Sequence, residues 1–337
     1  MLRQNMSHTR PHGSRINGTH TTIGGGALHI FSGRSTFRFM KNVFDPTRPL
    51  WNARLQMVER ATPNAQACAE WYAQLLSDTL TQVDGNTWQL VGPQRLMRFS
   101  VGPTKTVPRV AFSFPDEAQW TAYRAHVAAK GVTTVSLEPD AVLGAHAFEL
   151  IDPDGRALVF CVAPAAAPAA TTATLCIDVD PDTLPLPGRL QHFVCASTQT
   201  KEMLDFYRDV LGFVESDRVV DTDGDLSSAF VRSDEEHHSF AVFRAPQAGP
   251  DHHAYEVPNW NAIRDWADHC GDLEIPLWWG PGRHGVGNNL FFMIEDPDGY
   301  KVEFSSELEH MTPEQAYREW PHGPRALNLW GSAWMRS

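Results

Sequence analysis

Glu303 stands between Val302 and Phe304 in a segment that otherwise reads as a buried strand. A carboxylate there is costly to desolvate unless it has partners. A metal ion is one remedy, and the same half of the chain offers two imidazoles, His192 and His253, on separate predicted strands. Two imidazoles and one carboxylate suit a divalent first-row metal. Set on one face of an octahedron, they leave adjacent positions open, the arrangement of non-haem Fe(II) oxygenases. Zinc hydrolysis is possible on ligand count alone, but the compact H-E-x-x-H pattern is absent. Affinity does not choose Fe(II) over Mn(II), so Mn(II) remains the alternative.

The elements that must position these residues are written twice. "LQMVERATPNAQACAEWYAQLL" (55–76) parallels "LQHFVCASTQTKEMLDFYRDVL" (190–211), each a strand, a polar turn and an amphipathic helix. "VAFSFPDEAQWTAYRAHVAAKG" (110–131) parallels "HAYEVPNWNAIRDWADHCGD" (253–272), again strand then helix. "IDPDGRALVF" (151–160) parallels "EDPDGYKVEF" (295–304), a Pro-Asp-Gly turn feeding a strand. In register, His192 falls opposite Met57, His253 opposite Val110 and Glu303 opposite Val159. Three polar residues of the second half meet three apolar ones of the first, as expected if one copy keeps a metal and the other fills the space with core. The pattern predicts an α+β protein of tandem βαβββ modules forming two sheet-based domains. Their bounds are 49–165 for a copy without ligands and 187–310 for the metal-binding copy. An Ala-, Thr- and Pro-rich linker (166–186) joins them, a flexible extension (1–48) precedes them and a C-terminal segment (311–337) follows.

Composition narrows the function. With 42% hydrophobic and 20% charged residues, the 337-residue chain reads as globular and long enough for two cores. Its net charge of −12, without a basic stripe, argues against a nucleic-acid partner. No apolar run approaches a membrane span. Five widely spaced cysteines without a C-x-x-C predict a reduced, cytoplasmic protein.

The second half resembles the catalytic domain of type I extradiol ring-cleavage dioxygenases of the vicinal-oxygen-chelate superfamily. The residues that carry the resemblance are "LQHF" with "DFYRDVLGF", "EEHHSFAVF", "DHHAYEV", "GRHGVGNNLFF" and "DPDGYKVEF". The likeness spans about residues 50 to 310, the first half matching as a ligand-free copy. It implies Fe(II) held by His192, His253 and Glu303, and a small aromatic diol and O2 as substrates. It also implies a homo-oligomer and a role in aromatic compound degradation. His238 would be the acid/base histidine, a role that an imidazole suits near neutral pH. His284 would hydrogen-bond the substrate, with Arg283 and Asn288 helping to line the pocket. Where the family commonly has a tyrosine, this chain has Met293, which donates no hydrogen bond. Tyr255 or Tyr300 are the candidates to replace it. The C-terminal "EWPHGPRALNLWGSAWMRS" resembles a segment that can fold over the active-site mouth, where Arg325 could pair with an anionic substituent; the plainer reading is a tail that packs on the domain surface through its tryptophans.

Plainer readings compete. Adjacent strand residues face opposite ways, so His252 reads as a neighbour of the ligand His253 and His237 as pointing away from the site. Asp296 and Asp298 read as turn residues, and Trp278 and Trp279 as either pocket or core. Other reactions open to the same triad are isomerisation and metal-assisted hydrolysis, and a protein that only binds an aromatic ligand is a third possibility.

Overall fold

The structure, a computed structural model, describes residues 47–335 except 93, 141 and 163–187. The extension up to residue 46, the 166–186 linker and Cys176 lie outside the described residues.

Two βαβββ units build the first half. They comprise β1 (Arg54–Thr62), α1 (Ala65–Leu76), β2 (Thr79–Asp84), β3 (Thr87–Gly92) and β4 (Arg95–Val101), then β5 (Thr106–Phe114), α2 (Glu117–Ala129), β6 (Val135–Ser136), β7 (Ala147–Ile151) and β8 (Ala157–Val162). The second half repeats them. It runs through β9 (Arg189–Ser197), α3 (Thr200–Asp205), β10 (Val214–Val220), β11 (Leu226–Arg232) and β12 (Phe240–Arg244). The fourth unit follows with β13 (Gly249–Glu256), α4 (Trp260–Asp272), β14 (Leu277–Arg283), β15 (Leu290–Glu295) and β16 (Lys301–Ser306). A short β17 (Arg318–Pro321) and α5 (Pro324–Leu327) close the chain.

The sheets run β2-β3-β4-β1-β5-β8-β7-β6 and β14-β15-β16-β13-β9-β12-β11-β10-β17. Read from β10 inwards, the second is the first repeated, with β17 added at its edge. Helix positions follow from apolar spacing and caps. α1 buries Ala65, Cys68, Ala69, Tyr72, Leu75 and Leu76 on one face. Asp116 caps α2 by accepting from the Gln119 amide, and Asn259 caps α4 by accepting from Ala262. α3 runs on into a π-helical turn over Phe206–Val210 that seats Tyr207 against Phe240, ring centroids 3.7 Å apart.

The two Pro-Asp-Gly turns join the halves reciprocally. Asp296 accepts from the amides of Asp298 and Tyr300, and its other oxygen accepts from Arg60 at 2.9 Å and the Tyr72 hydroxyl at 3.2 Å. Asp152 accepts from the amides of Asp154 and Arg156, from the Arg156 guanidinium at 2.7 Å and from the Tyr207 hydroxyl at 3.2 Å. A tyrosine from each half therefore reaches the turn of the other. Asp296 and Asp298 are turn residues, and Asp296 is also the anchor of a fully buried ion pair with Arg60. The four described cysteines are buried and free, and burial pushes the thiols of Cys68, Cys161, Cys195 and Cys270 up to about 12, so they are poor nucleophiles. Among the described residues no helix is long and apolar enough to cross a membrane.

Candidate metal centre

Three adjacent strands set out the site. β9 pairs antiparallel with β13, and β13 parallel with β16. His192 lies opposite Ala254, and Ala254 opposite Glu303, so the three form one row across the sheet with a methyl group in the middle. His252 is two residues from Ala254 along β13 and therefore faces the same side. His192, His252 and Glu303 are buried, and their candidate ligand atoms lie within 4.8 Å of one another. His192 Nε2 is 3.6 Å from Glu303 Oε2, and His252 Nε2 is 3.2 Å from the same oxygen.

His253 does not join this cluster, which corrects the expected ligand set. It pairs with Phe193, on the opposite face of the sheet. There its ring packs between Tyr72 and Tyr300, and its Nδ1 lies 3.2 Å from the Tyr300 hydroxyl. Strand alternation allows only one of two adjacent histidines to face His192, and that one is His252.

The first half carries the same row without donors. Met57 lies opposite Ala111, and Ala111 opposite Val159, and the three belong to a small buried apolar cluster. The expected match of Met57 with His192 and Val159 with Glu303 holds in space. His252 corresponds to Arg109, which pairs with Glu59 as His252 pairs with Val194. Val110, the partner of His253 in the repeat, belongs to the main core.

The donor chemistry fits a divalent cation. Burial alone would raise the Glu303 carboxyl, but hydrogen bonds from His192, His252 and His284 outweigh it and hold the group well below the usual carboxylate range. Burial would lower His252, yet Asp251, 2.5 Å from its Nδ1, and Glu303 together raise it. Asp251 thereby orients the ring as an outer-sphere carboxylate orients a metal-bound imidazole. His192 is lowered by burial, which outweighs Glu303. His192, His252 and His284 surround the Glu303 carboxylate, and among the described residues no lysine or arginine pairs with it, which leaves its charge for a cation.

The cluster opens on a pocket of about 410 Å³, part of it solvent, walled by Val194, Phe230, Phe243, Val286, Met293 and Leu327 among others. His238 and His284 line it. The His238 ring centroid is 4.3 Å from that of His192, and Phe230 packs edge-on at 5.3 Å. Burial, then the neighbouring His192 and His237, hold His238 well below its ordinary value. His284 stacks on Phe291 at 3.7 Å, hydrogen-bonds the Leu327 carbonyl through Nδ1, and turns Nε2 to within 3.7 Å of Glu303. Met293 lines the pocket at the place the sequence marked as a departure.

Other expected contacts are corrected. Asn288 has a left-handed backbone, φ 54°, and the neighbouring Asn289 reaches in instead, donating to Glu303 at 3.1 Å and Ser305 at 2.9 Å. Arg283 turns away to the Asn288 carbonyl, Glu307 and the Trp330 ring. Tyr255 is buried on the His253 face against Phe304, and Arg325 is exposed outside the pocket. Tyr300 binds His253 on that same face. His237 does not point away: its Nδ1 lies 3.0 Å from that of His238.

The C-terminal segment forms one wall of the pocket. Ala326 accepts from the amides of Gly285 and Val286, and Leu329 donates to the Arg283 carbonyl. A side chain at Gly285 would meet the Arg325 carbonyl at 2.2 Å, so the crossing needs glycine there. Trp279 lines the pocket and donates to the Ser332 carbonyl, whereas Trp278 packs on Trp334 beside Lys301.

Residues 189–304 match the model of the Glyoxalase/Bleomycin resistance protein/Dioxygenase superfamily. Metapyrocatechase 2 of Cupriavidus necator is 28% identical over 251 residues, 69% of this chain and 75% of that protein. Biphenyl-2,3-diol 1,2-dioxygenase 3 of Rhodococcus globerulus is 32% identical over 145 residues, 40% of this chain and 70% of that one. Homoprotocatechuate 2,3-dioxygenase from Arthrobacter globiformis superposes with a TM-score of 0.69 at 23% identity, covering 83% of this chain and 88% of that chain. At that identity the superposition speaks for the fold.

Proposed function

Since the chain belongs to the type I extradiol dioxygenases of the glyoxalase/bleomycin resistance/dioxygenase (vicinal-oxygen-chelate) superfamily, we propose that it opens the ring of a small aromatic diol with O2, next to the two hydroxyls. The observation that carries this reading is the buried His192–His252–Glu303 cluster, facing an apolar pocket that His238 also lines. These three residues would hold Fe(II), with Mn(II) as the alternative. When bound, such a metal supplies adjacent open positions and the electron-transfer chemistry through which a diol and O2 react.

The chain's own residues do the rest. Burial, then the neighbouring His192 and His237, lower His238 and favour its neutral, proton-accepting form. It takes the proton of a diol hydroxyl and returns one later in the reaction. His284, held by the Leu327 carbonyl at Nδ1 and stacked on Phe291, presents Nε2 to a substrate oxygen. Val194, Phe230, Phe243, Val286 and Leu327 exclude water and hold the ring. No lysine or arginine is among the described residues lining the pocket. That favours an uncharged diol over one carrying a carboxylate, because a buried anion without a partner is costly.

Met293 leaves a place for a different reaction of the same triad, such as an isomerisation, in which O2 is not consumed. An oxygen electrode decides. The anaerobically purified Fe(II)-loaded protein is predicted to take up O2 with catechol, 3-methylcatechol or 2,3-dihydroxybiphenyl, and to yield a yellow ring-fission product. No uptake with any diol defeats the proposal.

A further inference from the structure

His238 is the near end of a buried chain that continues away from the metal centre. Its Nδ1 lies 3.0 Å from His237 Nδ1. The other ring nitrogen of His237, Nε2, lies 3.1 Å from Asp217 Oδ2, off the ideal line but with no other partner. Asp217 is also held by Arg318, at 2.8 and 3.2 Å, and by the Trp320 indole at 2.9 Å. His237, His238 and Asp217 are all buried.

With one proton on His237, these contacts set where the protons sit. Arg318 and the indole can only donate, so Asp217 is an ionised acceptor. The carboxylate therefore selects the His237 tautomer with hydrogen on Nε2. That leaves His237 Nδ1 as a bare acceptor. Two bare nitrogens at 3.0 Å would repel, so His238 carries its hydrogen on Nδ1 and donates it to His237. The remaining nitrogen of His238, Nε2, is then a lone pair.

We propose that His237 and Asp217 are positioning residues, which set the His238 tautomer so that its unprotonated Nε2 is the atom offered to the pocket. The inference rests on the reading of His238 as the acid/base group, but the arrangement of protons can be measured without turnover. The two side chains also brace His238 while a proton is on Nε2, because the ring then donates from Nδ1 into an acceptor tied to a carboxylate. No covalent step is involved; one proton moves between a hydroxyl oxygen and His238 Nε2.

The test is the tautomer itself. Long-range 1H–15N correlation spectra of the full chain, labelled with 15N-histidine and supplied with Zn(II) to keep it diamagnetic, report which nitrogen of each ring is protonated. Loss of peaks in His237→Gln and His238→Gln assigns the two rings. The expected result is hydrogen on Nδ1 of His238 and Nε2 of His237, with both reversed in Asp217→Asn, whose amide can donate to His237. Hydrogen on Nε2 of His238 in the unsubstituted chain overturns the proposal.

Kinetics give a second arm. His237→Leu is expected to lower kcat about 10- to 100-fold, with KM for the diol nearly unchanged. His237→Gln, which can donate to Asp217 and accept from His238, is expected to recover most of that loss. Equal damage in the two variants overturns the proposal. An unsubstituted chain that cleaves no diol defeats the dioxygenase reading, while the spectra still decide the tautomer.

Discussion

The two adjacent histidines of β13 give the sharpest contrast available in this protein. Consider His252→Ala beside His253→Phe. His252 Nε2 is 3.2 Å from Glu303 and its Nδ1 is 2.5 Å from Asp251, so alanine removes a proposed metal donor and separates two buried carboxylates from the group between them. Removing even an outer-sphere partner of a metal ligand costs about 10- to 100-fold in affinity; removing the ligand is expected to exceed about 100-fold. His253→Phe keeps a ring between Tyr72 and Tyr300. It leaves the Tyr300 hydroxyl without its bond to Nδ1, a cost of about 1–3 kcal/mol. It also removes Nε2, which is buried without a partner, and so recovers part of that cost. A net loss of about 1–2 kcal/mol in urea unfolding is expected, with metal content intact. The assay is iron content after anaerobic desalting, read beside urea unfolding so that loss of metal is separated from loss of fold. A His253→Phe protein that folds but holds no iron, beside a His252→Ala protein that keeps it, would refute the assignment of faces.

The remaining predictions concern the surroundings of the site. Asp296→Asn leaves the buried Arg60 guanidinium with only the more distant Asp298 carboxylate, 3.8 Å away, and urea unfolding should show a loss of about 3 kcal/mol. Asp217 is held below the ordinary carboxylate value: burial alone would raise it, but hydrogen bonds from His237 and Arg318 prevail. A depressed carboxylate stabilises the fold above its unfolded value of about 3.9 and loses that contribution as pH falls through the lower folded value. The stability gap between the unsubstituted chain and Asp217→Asn, followed by unfolding at graded pH, should therefore be constant above about pH 5 and shrink below about pH 4. Ending the chain after Gly323 removes Ala326 and Leu327 from the pocket wall. Steady-state kinetics should show KM for the diol raised by at least about tenfold, from the loss of one or two apolar contacts and of the Leu327 carbonyl that holds His284.

Much of this arrangement was legible in the residues. The repeat predicted both sheets, and the substitution of Met57 and Val159 for His192 and Glu303 survives as two matching rows, each with an alanine at its centre. The structure reverses the expected parity of β13, although the chain carries the signal. His253, Tyr255 and Val257 form a period-two stripe matching Val110, Phe112 and Phe114, and both stripes lie in the core. His252 stands on the other stripe, with Ala254. Asn288 and Asn289 differ for another reason: Asn288 itself takes the left-handed backbone that turns the loop, and no local propensity separates two consecutive asparagines. The Asp217–His237 contact joins β10 to the loop before β12, and the Ala326 and Leu327 wall joins α5 to the loop after β14. Such pairings are set by tertiary packing, beyond the reach of periodicity.

The decisive experiment is to supply 18O2 to the iron-loaded protein with an uncharged diol and weigh the product by mass spectrometry. Ring opening by the His192–His252–Glu303 centre predicts a product four mass units heavier, both labelled atoms retained, in the absence of exchange with water. A product with no label, formed at the same rate under argon, would contradict it and make the centre one for isomerisation or hydrolysis.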